Sequence, residues 1–341
     1  MDDRVRAEGV PRGGAVSPRE TVWSPDVLGA GFEQTTLPLG SDAEGELVAT
    51  LVRSRPHPLK ALSAPLRDVD VLYVHGWSDY FFQTDLARFW NDRGARFYAL
   101  DLRKYGRSLR DGQTPGYITS LDDYDAEIGA AVTVLRASRK RRLVLFGHST
   151  GGLILSLWAA RHPRVASALV LNSPWLELQL GALGRQALTP LVRVAARVDP
   201  LGRQPEVDLG FYTRALRELG TLPPGDERWR PARGFPIHPG WLAAILAGHA
   251  TVASGIDVGC PTLVLMSDGS TIPLQWTETM TSTDSVLDVE ETARAATRIG
   301  KLVTIARIPD AVHDVFLSAP SPREQAYAVL DRWTTGGALD D

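Results

Sequence analysis

Apolar and polar positions along the chain follow two alternating rhythms. Short, nearly continuous apolar runs predict strands buried on both faces at Val69–Val74, Arg96–Leu100, Leu143–Phe146, Ala168–Leu171, Thr262–Met266 and Leu302–Ile308. Between them lie stretches with the period of amphipathic helices: Phe81–Arg93, Leu121–Arg136, Gly151–Arg161, Val289–Ile299 and Arg323–Trp333. Ser120 stands where an N-cap belongs before the second helix, and Gly94 closes the first. Glu46–Arg53 alternates with period two and reads as an early strand. Strands separated by helices predict the α/β class, a mostly parallel sheet with helices on both faces.

The rhythm stops after Leu171 and resumes at Thr262. Residues 174–257 are largely helical in pattern, with loops holding Pro223, Pro224, Pro231, Pro236 and Pro239. Such an interruption reads as a helical cap inserted in one α/β domain. The predicted organisation is a flexible N-terminus at 1–21, a core domain from 22–173 and 258–341, and the cap at 174–257. A chain of 341 residues is long enough to bury one large core of this kind.

Charge and cysteine usage narrow the function classes. A net charge of −3 argues against nucleic acid as a partner. The densest basic cluster, Arg139 to Arg142, precedes a strand and reads as a solvated turn. A single cysteine, Cys260, excludes an internal disulfide. No run approaches the roughly 18 apolar residues of a membrane span. The start is charged and rich in Gly and Pro, without the apolar stretch of a signal peptide. A cytoplasmic protein is expected.

The chemistry centres on Gly147-His148-Ser149-Thr150-Gly151, which lies between a buried strand and a helix. A serine on so sharp a turn needs small neighbours, because side chains at 147 and 151 would strike the adjoining strand and helix. Its hydroxyl then stands above the sheet, where the N–H groups of the next helix favour a developing negative charge. A hydroxyl is a weak nucleophile until a base takes its proton. Of the seven histidines, His313 sits in the loop after the final strand, where strand C-termini converge. The others lie in early loops, at a helix end, inside the turn itself or in the inserted segment. Thr150, next after Ser149, is the expected first oxyanion N–H donor. Trp77, in the His75-Gly76-Trp77-Ser78 loop, is the expected second. No spacing suggests a metal site, and no Gly-x-Gly-x-x-Gly run follows a strand, so no cofactor is expected.

The set His75-Gly76, Asp101-x-Arg103-x-x-Gly106-Arg107-Ser108, Gly147-His148-Ser149-x-Gly151-Gly152 and the closing His313 resembles one branch of the α/β-hydrolases. That branch holds monoglyceride lipases, lysophospholipases and serine aminopeptidases. The resemblance runs from about residue 35 to 335. It implies the α/β-hydrolase fold with a helical cap, and Trp77 and Thr150 as oxyanion donors. Two departures stand out: Trp77 replaces a small residue, and Lys104-Tyr105 replaces the usual Gly-His. For the acid behind the histidine, Asp284 resembles the family's acid loop running into its next helix. Asp268 lies nearer the strand end, in an ordinary turn composition, and Asp288 is a further candidate, for the helix cap.

The expected activity is hydrolysis of a carboxylic ester through Ser149, His313 and Asp284. The resemblance suggests a monoacylglycerol- or lysophospholipid-like substrate, a small acyl ester. The alternatives are a small-residue aminopeptidase or amidase of the same branch, or a binding protein that keeps the pocket without turnover. Dehalogenase and epoxide hydrolase chemistry would need a carboxylate at 149. Phe211, Tyr212, Trp229, Phe235 and Trp241 bring aromatic area to the cap and are candidates for an acyl pocket, and transient contact of the cap with a membrane surface is expected.

Overall fold

The computed structural model describes residues 21–61, 63–137, 141–202, 208–271 and 275–339. The predicted flexible N-terminus, except Thr21, lies outside the described residues, as do Arg139 and Lys140 of the basic cluster. Among the described residues nine strands form one sheet: β1 (Ser24–Pro25), β2 (Phe32–Asp42), β3 (Gly45–Ser54), β4 (Val69–Val74), β5 (Arg96–Asp101), β6 (Arg142–His148), β7 (Ala168–Asn172), β8 (Thr262–Ser267) and β9 (Val303–Ile308). Their order across the sheet is β1-β2-β3-β5-β4-β6-β7-β8-β9. The pairings from β1 to β5 are antiparallel, and those from β5 through β9 are parallel. This is the α/β-hydrolase fold.

The period of two along each central strand divides the apolar residues between two cores. Leu72 and Val74 of β4 and Leu143 and Leu145 of β6 enter the core covered by α3 (Asp125–Arg136) and α4 (Thr150–Arg161). Val71, Tyr73, Val144 and Phe146 point the other way, toward α2 (Thr84–Asp92) and α9 (Pro320–Thr335). The short α1 (Pro58–Ala61) precedes β4, and α8 (Val289–Ala296) precedes β9. Between β7 and β8 the chain forms α5 (Gly181–Val198), α6 (Phe211–Glu218) and α7 (Pro239–Ala253). No helix among the described residues is long and apolar enough to cross a membrane.

The sequence pattern missed β2. Pro38 and Gly40 interrupt its alternation, and the register with β3 shifts between them. The strand tolerates Pro38 because β1 pairs only with Glu33 and Gln34, leaving the outer edge open there. Helix α2 begins later than its periodicity predicts. The Phe81 N–H is engaged by Asp101 Oδ1 at 2.9 Å and the Phe82 N–H by Gln83 Oε1 at 3.1 Å, so both residues belong to the preceding loop.

Helix α7 is buried around most of its circumference and encloses a histidine. His249 Nε2 donates to the Trp175 carbonyl at 2.9 Å, whereas Nδ1 has no hydrogen-bond partner. Burial pushes this imidazole down from 6.5 to about 4. Above pH 6.5 both folded and unfolded states hold it neutral, so it costs nothing. Between pH 6.5 and 4 the unfolded chain takes up a proton that the folded chain refuses, and stability falls, by ~3 kcal/mol once both are passed. His249→Leu should therefore lose less stability than the wild type between pH 7.5 and 4.5 in denaturant titrations. Parallel losses in both proteins would contradict this.

Candidate active site

Ser149 caps α4 with φ 51° and ψ −117°, a left-handed conformation that a non-glycine residue holds only under constraint. The constraint is local. The Ser149 N–H donates to the Asn172 carbonyl at 3.0 Å, and the Ser149 carbonyl accepts from Gly152 N–H at 2.9 Å and Trp175 N–H at 3.0 Å. Both glycines are required by close approach. A Cβ on Gly147 would lie 2.7 Å from the Gly151 oxygen, and one on Gly151 would lie 2.4 Å from the carbonyl oxygens of Val74 and His75.

His313 lies in the loop after β9, buried, with Asp310 ahead of it in the left-handed region at φ 57°. Its Nδ1 is 2.8 Å from Asp284 Oδ2. The other carboxylate oxygen, Oδ1, accepts from Val286 N–H and Leu287 N–H, each at 2.8 Å. The segment after β8 turns out and then returns. Asp284 N–H donates to Gly269 O at 2.9 Å and Thr271 N–H to Asp284 O at 2.8 Å, so a parallel bridge holds Asp284 beside the β8 terminus. Asp268 is exposed, while Asp288 caps α8 by accepting from Glu290 N–H and Glu291 N–H. The structure thus brings Asp284 to His313 and leaves Asp268 and Asp288 elsewhere.

The loop after β4 runs directly against the serine. A Cβ on Gly76 would meet Ser149 Cβ at 3.0 Å, so only glycine lets the backbone come this near. His75 anchors the loop from below: Nδ1 donates to Gly76 O at 2.8 Å and Nε2 accepts from Leu102 N–H at 3.1 Å. That pairing needs a neutral ring, and burial lowers its pKa accordingly. Thr150 is the first residue of α4, whose opening N–H groups have no partner within the helix.

The segment between β7 and β8 covers this region with aromatic rings. Trp241 of α7 lies against Trp77, with centroids 3.7 Å apart, and 6.1 Å from Trp175. Phe235 meets Trp77 edge-on at 5.7 Å. Tyr212 of α6 stands edge-on to the His313 ring at 5.5 Å, and its hydroxyl accepts from Asp314 N–H at 3.2 Å. Trp229 packs on Tyr80 and Phe211 on Trp276. Arg230 approaches the buried Asp79 at 3.4 Å, and burial raises the Asp79 carboxyl. Sequence reasoning did not single out Asn172, Asp314 or Asp79. For Asn172 the available signal was a polar side chain ending an apolar strand, which in a buried sheet needs a partner. Among the described residues no three His, Cys, Asp or Glu side chains gather as a metal would require.

The chain has relatives among known proteins. A family profile described as serine aminopeptidase, S33 matches residues 67–319, most of the chain. The chain belongs to this family. Over 172 residues it is 27% identical to a monoacylglycerol lipase of Mycolicibacterium smegmatis, covering 46% of this chain and 59% of that protein's length. Among solved structures, the Paleococcus ferrophilus monoacylglycerol lipase superposes with a TM-score of 0.61 at 20% identity, over 84% of this chain and 98% of that one. A soluble variant of the Saccharomyces cerevisiae monoglyceride lipase gives 0.63 at 14% identity, over 94% and 98%. A thermostable carboxyl esterase from Bacillus coagulans also gives 0.63 at 14%, over 89% and 99%. These likenesses carry the fold.

Proposed function

We propose that the protein is a serine hydrolase that cleaves a carboxylic ester by acyl transfer to water. The observation that carries this reading is the buried Asp284–His313 pair, 2.8 Å apart, set among the strand ends that also hold the strained Ser149. Ser149 Oγ bonds to the substrate carbonyl carbon while its proton passes to His313 Nε2. The Trp77 and Thr150 N–H groups hold the oxyanion, aided by the N-terminus of α4. The tetrahedral species collapses, the C–O bond to the alcohol breaks, and His313 returns the proton to that alcohol. Water then attacks the acyl-enzyme, its proton going to His313 and on to Ser149 as the acid leaves. Asp284 keeps Nδ1 protonated, so Nε2 stays free to accept.

Residues 174–257 act as a cap in this reading, and a monoacylglycerol-like ester is the substrate class favoured by the names of the relatives. The half-buried rings of Trp77 and Trp175, packed against the buried Trp241, are the apolar surface that an acyl chain would meet in this reading. Each buried methylene contributes about 0.8 kcal/mol, close to fourfold in kcat/KM. A series of p-nitrophenyl esters should therefore rise from acetate toward octanoate. A maximum at acetate followed by steady decline would count against an acyl pocket. Turnover of aminoacyl p-nitroanilides in preference to all the esters would favour the aminopeptidase reading that the family name admits.

The cap also offers a lipid-facing surface. Leu183, Leu191, Val194 and Val198 recur at helical spacing on α5 and are 81, 69, 58 and 81% exposed. The helix carries no Asp or Glu, and Arg193 and Arg197 are exposed beside the stripe. An apolar stripe flanked by cations suits an anionic lipid surface. Leu191→Glu with Val194→Glu should reduce sedimentation with phosphatidylglycerol vesicles while leaving hydrolysis of a soluble ester unchanged. Equal sedimentation would remove the stripe from this role. Burial pushes the lone Cys260 thiol up to about 12, which disfavours the thiolate at neutral pH.

A further inference from the structure

Strand β7 reads Ala-Leu-Val-Leu-Asn, and its one polar residue, Asn172, is its last and is buried. A primary amide taken out of water must have its donors and acceptors met inside the protein. Asn172 meets them in two directions. Its main-chain carbonyl, beside His148 in the β6–β7 register, accepts from Ser149 N–H at 3.0 Å and from His148 Nδ1 at 3.1 Å. Its side chain reaches the loop that carries His313. Nδ2 donates to Asp314 Oδ1 at 2.6 Å, and Oδ1 accepts from Val315 N–H at 3.2 Å. Asp314 is held further by Phe316 N–H at 3.0 Å and Gln83 Nε2 at 3.3 Å.

We propose that Asn172 is a positioning residue that sets the distance between Ser149 and His313. The proposal rests on the serine-hydrolase reading above. One residue carries the nucleophile's turn on its backbone and the base's loop on its amide, so the two cannot move apart without breaking bonds at Asn172. The position calls for both a donor toward a carboxylate and an acceptor toward an N–H. Leucine offers neither, and aspartate offers only acceptors and faces Asp314 as a second carboxylate. A displacement of about 1 Å at such a site costs on the order of a hundredfold in rate.

The test compares Asn172→Leu, Asn172→Asp, Asp314→Asn and the double variant Asn172→Asp/Asp314→Asn, using a p-nitrophenyl ester and a fluorophosphonate, after melting curves. Asn172→Leu should lower kcat by roughly tenfold to a hundredfold with little change in KM, and slow fluorophosphonate inactivation in parallel. In Asn172→Asp the paired carboxyls can share one proton at low pH, but two ionised carboxylates repel each other as pH rises. Its kcat relative to wild type should therefore fall with rising pH. The other ionisable groups around Asp314 are His148, His313, Asp79 with Arg230, and the tyrosines Tyr73, Tyr212 and Tyr327. All of these are present in both proteins, so the ratio isolates the new pair. The double variant reverses donor and acceptor, keeps the net charge and should recover most of kcat. It also serves if Asn172→Asp alone does not fold. A flat ratio, unchanged kcat in Asn172→Leu, or a double variant no better than the single ones would overturn the proposal. Failure of the wild type to react with the fluorophosphonate would instead overturn the serine-hydrolase reading.

Discussion

Ser149→Ala is expected to remove ester turnover almost completely, by about 10⁶ in kcat, while the protein keeps its fold. The turn does not depend on the hydroxyl. Its backbone bonds run through the Ser149 N–H and carbonyl, and alanine retains both. Alanine pays a similar penalty for φ 51°, so the melting midpoint should stay near that of the wild type. What is lost is the atom that forms the acyl-enzyme. The residual rate should be that of water in a site that still binds substrate and still offers N–H groups to the oxyanion, some 10³–10⁴ above the uncatalysed reaction. Steady-state kinetics on a p-nitrophenyl ester read this directly. Turnover within tenfold of wild type would move the nucleophile elsewhere.

The second large effect is expected at Asp284. Asp284 Oδ1 sits under two N–H donors, those of Val286 and Leu287, and Oδ2 faces His313 Nδ1. In Asp284→Asn the amide oxygen must stay under the two donors, so the new NH₂ faces the histidine. The ring then accepts at Nδ1 and carries its proton on Nε2, the wrong tautomer for taking a proton from serine. Where a carboxylate has this role, the amide costs roughly 10⁴ in kcat. Asp268→Asn, on an exposed turn, should remain near wild type. Melting curves come first, because a weakened turn could cost about 1 kcal/mol of stability. A crippled Asp268→Asn beside an active Asp284→Asn would reverse the assignment.

The parts of this molecule that sequence made legible are local. The turn around Ser149 is written in residues 147–151, because the collisions that exclude side chains at 147 and 151 arise where strand meets helix. The alternation of β4 and β6 between two cores is likewise visible in consecutive residues. Asp284 is different. Asp268 stands closer to the strand, and composition alone leaves both open. The parallel bridge between Ser270 and Asp284 brings the later carboxylate back to the β8 terminus, where Oδ2 meets His313, and such a pairing has no signature in either segment. Strand β2 was hidden by Pro38, a residue that demotes a strand in pattern but is harmless on an open edge. Asn172 and Asp314 are separated by 142 positions. Each looks ordinary in its own segment, and only the sheet's topology makes them neighbours.

The central claim is that Ser149 is the activated nucleophile, and covalent labelling tests it without knowledge of the substrate. Wild type and Ser149→Ala are treated with a fluorophosphonate, their intact masses are measured, and the labelled peptide is mapped. The account predicts one adduct per wild-type chain, on the peptide containing Ser149, and none on the folded variant. Equal labelling of both proteins, an adduct on another residue, or no adduct on folded wild type would contradict it.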